Sequence, residues 1–205
     1  MNVLLVWLSG LGFALSLIVA VGAQNIFVLR QGLTASKRVL AAVVTVCAVS
    51  DVALMAAGVA GMGALIARIP ALILIIRYLG AAFLVVYGVL AARRVMRAES
   101  LTVAQAADAP ERLGKILLVT AAFTFLNPGT YLDTVILVGG IANQHEQPWL
   151  WASGAMSASV LWFFALGFGA RQLRPVFAKP ITWRIFDSLV AVLMFVIAAS
   201  LIWGH

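Results

Sequence analysis

Two carboxylates and two polar interruptions stand where the chain is otherwise apolar, and their positions give the first indication of chemistry. Asp51 lies about 12 residues into the apolar run from 39 to 66, with no neighbouring base to neutralise it. At ~1.5 Å per helical residue that is ~18 Å from the start of the run, near the middle of a bilayer. A carboxylate at that depth costs at least ~2.5–3.5 kcal/mol on insertion scales and is by default part of an ion or substrate path. Helical spacing stacks Cys47, Met55 and Gly58 on its face, with Ala53, Ala57 and Gly61 as a small-residue seam opposite, so this helix is expected to be buried on both sides. The interruptions are Gly22-Ala23-Gln24-Asn25 and Leu126-Asn127-Pro128-Gly129, each inside an overlong apolar run. Pro128 lacks an N–H and crowds the carbonyl one turn earlier, and Gly22 and Gly129 loosen the backbone, so both runs are expected to break at membrane depth. Free amides and carbonyls at such breaks are tolerated only inside protein or along a watery cavity, where transporters use them to hold substrates. Asp133 follows the second break by six residues. If the segment is helical throughout, Asp133 lies nearer the outside; if it is re-entrant, Asp133 lines one cavity with Asp51 and Asn25.

The elements that must position these groups follow from composition. Of 205 residues 64% are hydrophobic and 10% charged, against about 45–50% and about 25% in soluble domains. A water-soluble globule is excluded, and the apolar excess must face lipid. Six runs are readable, at roughly 3 to 29, 39 to 66, 69 to 92, 114 to 142, 148 to 170 and 184 to 203. The expected fold is therefore all-α, a polytopic membrane protein. The polar stretch 93–115 reads as a linker between a first repeat, 1–92, and a second, 116–205, within one transporter domain spanning 1–205. Three spans on each side of a linker force the second half to enter the membrane in the opposite sense, which is the arithmetic of two inverted three-helix repeats with broken first and fourth helices.

The formal charge of +7 reflects topology rather than nucleic-acid binding. Alternating the loops between two faces puts 12 of the 14 basic residues on one side, with Arg68 and Arg77 on the other. By the positive-inside rule the basic face is cytoplasmic and both termini lie outside. Trp7, Trp149, Trp151 and Trp203 then fall near the outer interface and Trp183 near the inner one, while Trp162 lies mid-span. Asp187, close to Arg184, is expected to pair with a nearby base, and Arg77 to snorkel to an interface. A single cysteine, Cys47, allows no internal disulfide or thiol relay, and His145 and His205 assemble no metal site. No HExxH, G-x-S-x-G or phosphate-loop motif is present, so no enzyme chemistry and no cofactor is expected.

The strings Gly22-Ala23-Gln24-Asn25-Ile26-Phe27-Val28-Leu29-Arg30-Gln31-Gly32, Ser50-Asp51 and Ala122-Phe123-Thr124-Phe125-Leu126-Asn127-Pro128-Gly129-Thr130-Tyr131-Leu132-Asp133-Thr134 closely resemble the LysE-type family of lysine and arginine exporters. The resemblance implies a multi-pass protein of the bacterial cytoplasmic membrane that exports basic amino acids using the proton gradient. The intramembrane acids and the two broken helices give the expected substrate site, Asp51, Asp133, Gln24, Asn25, Asn127 and Tyr131, with proton coupling expected at Asp51 and Asp133. The family pattern has a histidine after the Asn-Pro pair where this chain has Gly129. Cargo, protons and lipid are the expected partners; the oligomeric state is not encoded legibly. Two alternatives stay open: export of a neutral amino acid or another small cation, and a membrane assembly subunit that transports nothing.

Overall fold

The computed structural model describes residues 2–20, 22–62, 69–96 and 113–203, and within them every regular element is helical. Helix α1 covers Val3–Ile18 and α2 covers Ala23–Thr34. Helix α3, Lys37–Ala57, continues into a π-helical turn, Gly58–Met62. Helix α4 is Pro70–Met96 and α5 is Leu113–Phe125. A composite helix α6 joins Pro128–Thr130, a π-helical stretch Tyr131–Val138, and Gly139–Ala142. Helices α7, Pro148–Ala170, and α8, Pro180–Trp203, complete the chain.

Among the described residues four helical stretches are long and apolar enough to cross a membrane: Lys37–Gly61, Ala71–Met96, Pro148–Leu173 and Pro180–Trp203. The pair α1 and α2, bent by 85°, makes a fifth if counted as one span. At ~1.5 Å per residue the 13-residue α5 is only ~20 Å long, so it crosses a ~30 Å core only in combination with α6. Residues 97–112, most of the expected linker, lie outside the described residues. Lipid-facing surface is visible on α8, where Ile185, Leu189, Val192 and Val196 are exposed at helical spacing.

Helix ends are closed by local caps and by distant side chains. Asn2 caps α1 by accepting from the Leu4 N–H at 3.1 Å, and Ser36 caps α3 through Val39 N–H at 3.3 Å. The C-terminus of α2 is satisfied from a distance: Arg171 Nη1 donates to Ala35 O at 2.9 Å, and Arg174 reaches Gly32 O and Ala35 O at 3.3 and 2.7 Å. Arg77 reaches the end of α8, where it donates to the Leu201 and Ile202 carbonyls.

Helix α1 packs chiefly on α7 and α4 on α8, while α3 touches α5, the π stretch of α6, and α7. The core has two main clusters. One surrounds Phe27, Val44, Cys47, Phe123 and Met194; the other surrounds Val6, Met55, Val138 and Trp151. Two sequence expectations change here. Cys47, Asp51, Met55 and Gly58 are buried on one face of α3, but Ala53 and Gly61 on the other are exposed and Ala57 is half-buried, so that seam is uncovered. Trp151 is not an interfacial anchor: it is 2% exposed, wedged between α1 and α7 against Phe13, with His145 stacked on it.

Candidate functional site in the cavity between two broken helices

The first break falls at 19–22, slightly earlier than the polar string itself. Ala23, Gln24 and Asn25 form the opening turn of α2, and Gly22 precedes it in an extended conformation, φ −114° and ψ 171°. The reason is Asn25, whose Nδ2 donates back to Ile18 O at 2.7 Å and Ala20 O at 2.8 Å, pairing carbonyls that α1 leaves free. Its Oδ1 accepts from Trp162 Nε1 at 3.2 Å, which explains an indole held mid-span.

The second break lies at Leu126-Asn127. Asn127 caps α6 by accepting from Gly129 N–H at 3.0 Å, and Pro128 takes the first helical position, where its missing N–H costs nothing. Tyr131 holds the other side of this break, its hydroxyl donating to Phe125 O at 3.0 Å. Beyond it the backbone widens into the π-helical stretch that carries Asp133. Such stretches recur at functional sites because they displace side chains from helical register.

A cavity of about 170 Å³ opens between these breaks, well above the ~10–15 Å³ needed to hold one water. Gly22, Gln24 and Asn25 line it from the first break, and Asn127, Gly129, Thr130 and Thr134 from the second. Asp51 and Asp133 both face it, and Phe163 contributes an apolar wall. The structure thus brings together five of the six expected substrate residues; Tyr131 is not among the lining residues, and Pro128 is buried beneath them.

The two carboxylates differ. Asp133 is half-buried. Asp51 is 4% exposed; its Oδ2 accepts from Ser159 Oγ at 2.9 Å, and its Oδ1, equally buried, has no hydrogen-bond partner among the described residues. Native proteins rarely leave a buried carboxylate oxygen bare. One that faces a cavity is suited to receive a proton or a cation. Gln24 sits beside it, its Nε2 donating to Thr124 Oγ1 at 3.0 Å. The N-terminus of α2, with no side-chain cap, presents the positive end of its helix dipole to the same space.

Sequence reasoning singled out both acids but left the depth of Asp133 open, and it missed Ser159, Thr130 and Thr134. Charge in an apolar run stands out, whereas Ser159 is one of three serines on α7, and only its facing α3 selects it over Ser153 and Ser157.

Comparison with known proteins places the whole chain in a family. The profile of the LysE type translocator family matches residues 15–204. A candidate amino-acid transporter of Mycobacterium tuberculosis is 45% identical over 90% of both chains. A lysine exporter of Corynebacterium diphtheriae is 32% identical over 95% of this chain and 97% of its own. An arginine exporter protein of Yersinia enterocolitica is 38% identical over 97% and 96%. No solved structure matches. With two broken helices around a polar cavity, several membrane-crossing helices and relatives matched over nearly their whole length, the chain belongs to the LysE-type translocator family.

Proposed function

We propose that this protein exports arginine and lysine from the cytoplasm in exchange for an inward-moving proton. The observation that carries the reading is the content of one cavity: two carboxylates, Asp51 and Asp133, together with the uncapped N-terminus of α2. A basic amino acid has two cationic groups and one anionic one, and the cavity supplies two acids for the former and a helix N-terminus for the latter. A neutral amino acid would leave one acid unmatched. Relatives named as lysine and arginine exporters support the same cargo.

Moving a cation outward against an inside-negative potential costs ~2.3 kcal/mol per 100 mV, so an energy source is required. Asp51 provides the coupling if it holds either a proton or the cargo's cation but not both, because a bound cation favours the ionised carboxylate and burial without one disfavours it. Gln24 and Asn127 then orient the α-carboxylate and α-amino groups. Asn25, with both Nδ2 donors committed to the first break, acts mainly by holding that break in place.

The chain in this reading crosses the membrane six times as two inverted repeats, 1–92 and 116–205, with 93–115 cytoplasmic and both termini outside. In its support, the contacts obey the exchange such symmetry demands. The first run packs on the fifth (α1 with α7), the second on the fourth (α3 with α5 and α6), and the third on the sixth (α4 with α8). The test is efflux from proteoliposomes loaded with labelled arginine, lysine or alanine, with and without an inward proton gradient. Arginine and lysine should leave, faster with the gradient. Exit of alanine alone would transfer the reading to neutral cargo, and no exit of any would end it.

A further inference from the structure

A second set of charges lies outside the cavity, toward the basic-loop face. Arg30 of α2 is six residues beyond Gln24, ~9 Å further along the helix. It forms an ion pair with Asp187 of α8. Arg94 of α4 joins the same carboxylate oxygen through Nε at 3.3 Å. Asp187 is 6% exposed, so two guanidinium groups from different helices converge on one buried acid. Each is backed by a ring, Arg30 over Trp183 and Arg94 over Tyr87, both at 5.8 Å. The set is unevenly satisfied: Arg94 Nη2 is buried without a hydrogen-bond partner among the described residues.

An aromatic cluster links the helices that carry the triad to those that line the cavity. Phe123 packs against Phe27 and Phe83 at 4.8 Å and Tyr87 at 4.9 Å, with Phe27 and Phe123 almost wholly buried. Tyr87 and Arg94 share a face of α4, as Phe27 and Arg30 share one of α2, so the aromatic plug and the triad are moved by the same helices.

We propose that Asp187, Arg30 and Arg94 form a second cation station on the cytoplasmic side. There the guanidinium or ammonium group of the outgoing amino acid displaces Arg94 from Asp187 and so releases the aromatic plug below the cavity. This rests on the export reading above and deepens it. Arg94 is the displaceable partner because its side chain is the more exposed of the two and its Nη2 gains nothing in the closed arrangement, whereas Arg30 remains paired. The exchange is like for like, one cation for another on the same oxygen, so no buried acid is left bare while the path opens.

The chain's own single cysteine reports on the plug. Cys47 is fully buried, one turn from Asp51 toward the start of α3, beside Gln24 and in one core cluster with Phe27 and Phe123. Inside-out vesicles treated with a membrane-impermeant maleimide should label Cys47 slowly in the wild type. Arg94→Gln should label roughly tenfold faster, the effect of removing one charge-assisted hydrogen bond from the closed state. Arg94→Lys, which restores a cation, should stay close to the wild type. Arginine on the reagent side should accelerate labelling of the wild type, and alanine should not. Equal rates for wild type and Arg94→Gln, or no acceleration by arginine, would overturn the station. If Arg94→Gln does not accumulate, the wild-type arginine arm decides alone. Labelling needs no net transport, so normal labelling behaviour with no arginine efflux would instead count against the export reading.

Discussion

Asn25 contributes more to the architecture than to the ligand set. Three hydrogen bonds, to Ile18 O, Ala20 O and Trp162 Nε1, tie the end of α1, the start of α2 and α7 together at one side chain. Asn25→Ala is expected to cost on the order of 1–3 kcal/mol through the carbonyls it leaves unpaired, read as a lower unfolding midpoint in detergent, while Asn25→Asp should rescue little because it removes both donors. Ser159→Ala strips Asp51 of its hydrogen bond without touching the charge. We expect weakened arginine export with normal insertion, checked by efflux at matched protein level. At this scale the two acids are readable from the chain alone, since a charge in an apolar run can hardly be misplaced. Asn25 and Tyr131 are readable as polar residues at breaks but not in role, because the carbonyls they pair with are set by where the helices stop. Sequence proximity points Asp187 to a local base, yet its partners come from α2 and α4, 157 and 93 residues away in sequence.

Helices approach closely where glycine removes the side chain. Gly10 of α1 faces the Trp151 carbonyl and Gly154 of α7 faces the Trp7 carbonyl, a reciprocal pair in which an added Cβ would strike backbone oxygen on either side. Gly154→Val should cost about 1–3 kcal/mol or more, as overpacking does, and should lower the unfolding midpoint without altering the cavity's acids. The π-helical turn at the end of α3 fits α6 in the same way. At Gly139 a Cβ would lie 2.5 Å from the Gly58 carbonyl carbon, and Gly61 turns the chain with φ 97°. Gly139→Val is therefore expected to displace the stretch bearing Asp133 and to reduce export more than stability, compared through efflux and melting of the same preparation. The breaks themselves are legible from Gly22, Asn127 and Pro128; their registers are not. Pro128 opens a helix rather than kinking one, because Asn127 leaves helical geometry before it, and the widening over Tyr131–Val138 has no mark in hydrophobic periodicity.

Arg30, Arg171 and Arg174 gather at one end of α2, and the cavity lies at the other. In the proposed orientation, drawn from the positive-inside count, cytoplasm-specific reporters fused to either terminus should both be silent; a signal from one would break the six-span reading. The sequence reads as six apolar runs, whereas among the described residues four helices are long and apolar enough to cross and one bent pair makes a fifth, because polar strings inside overlong runs conceal how sharply the chain turns. At the heart of the proposed mechanism, a cationic amino acid and a proton compete for Asp51. Counterflow of labelled arginine in proteoliposomes holding either the wild type or Asp51→Asn, with and without a pH step, decides whether they do. The wild type should show exchange that the pH step modulates, and Asp51→Asn should lose roughly ten- to a hundredfold, the worth of a charge-assisted contact. Full arginine exchange by Asp51→Asn with an unchanged response to pH would contradict that competition.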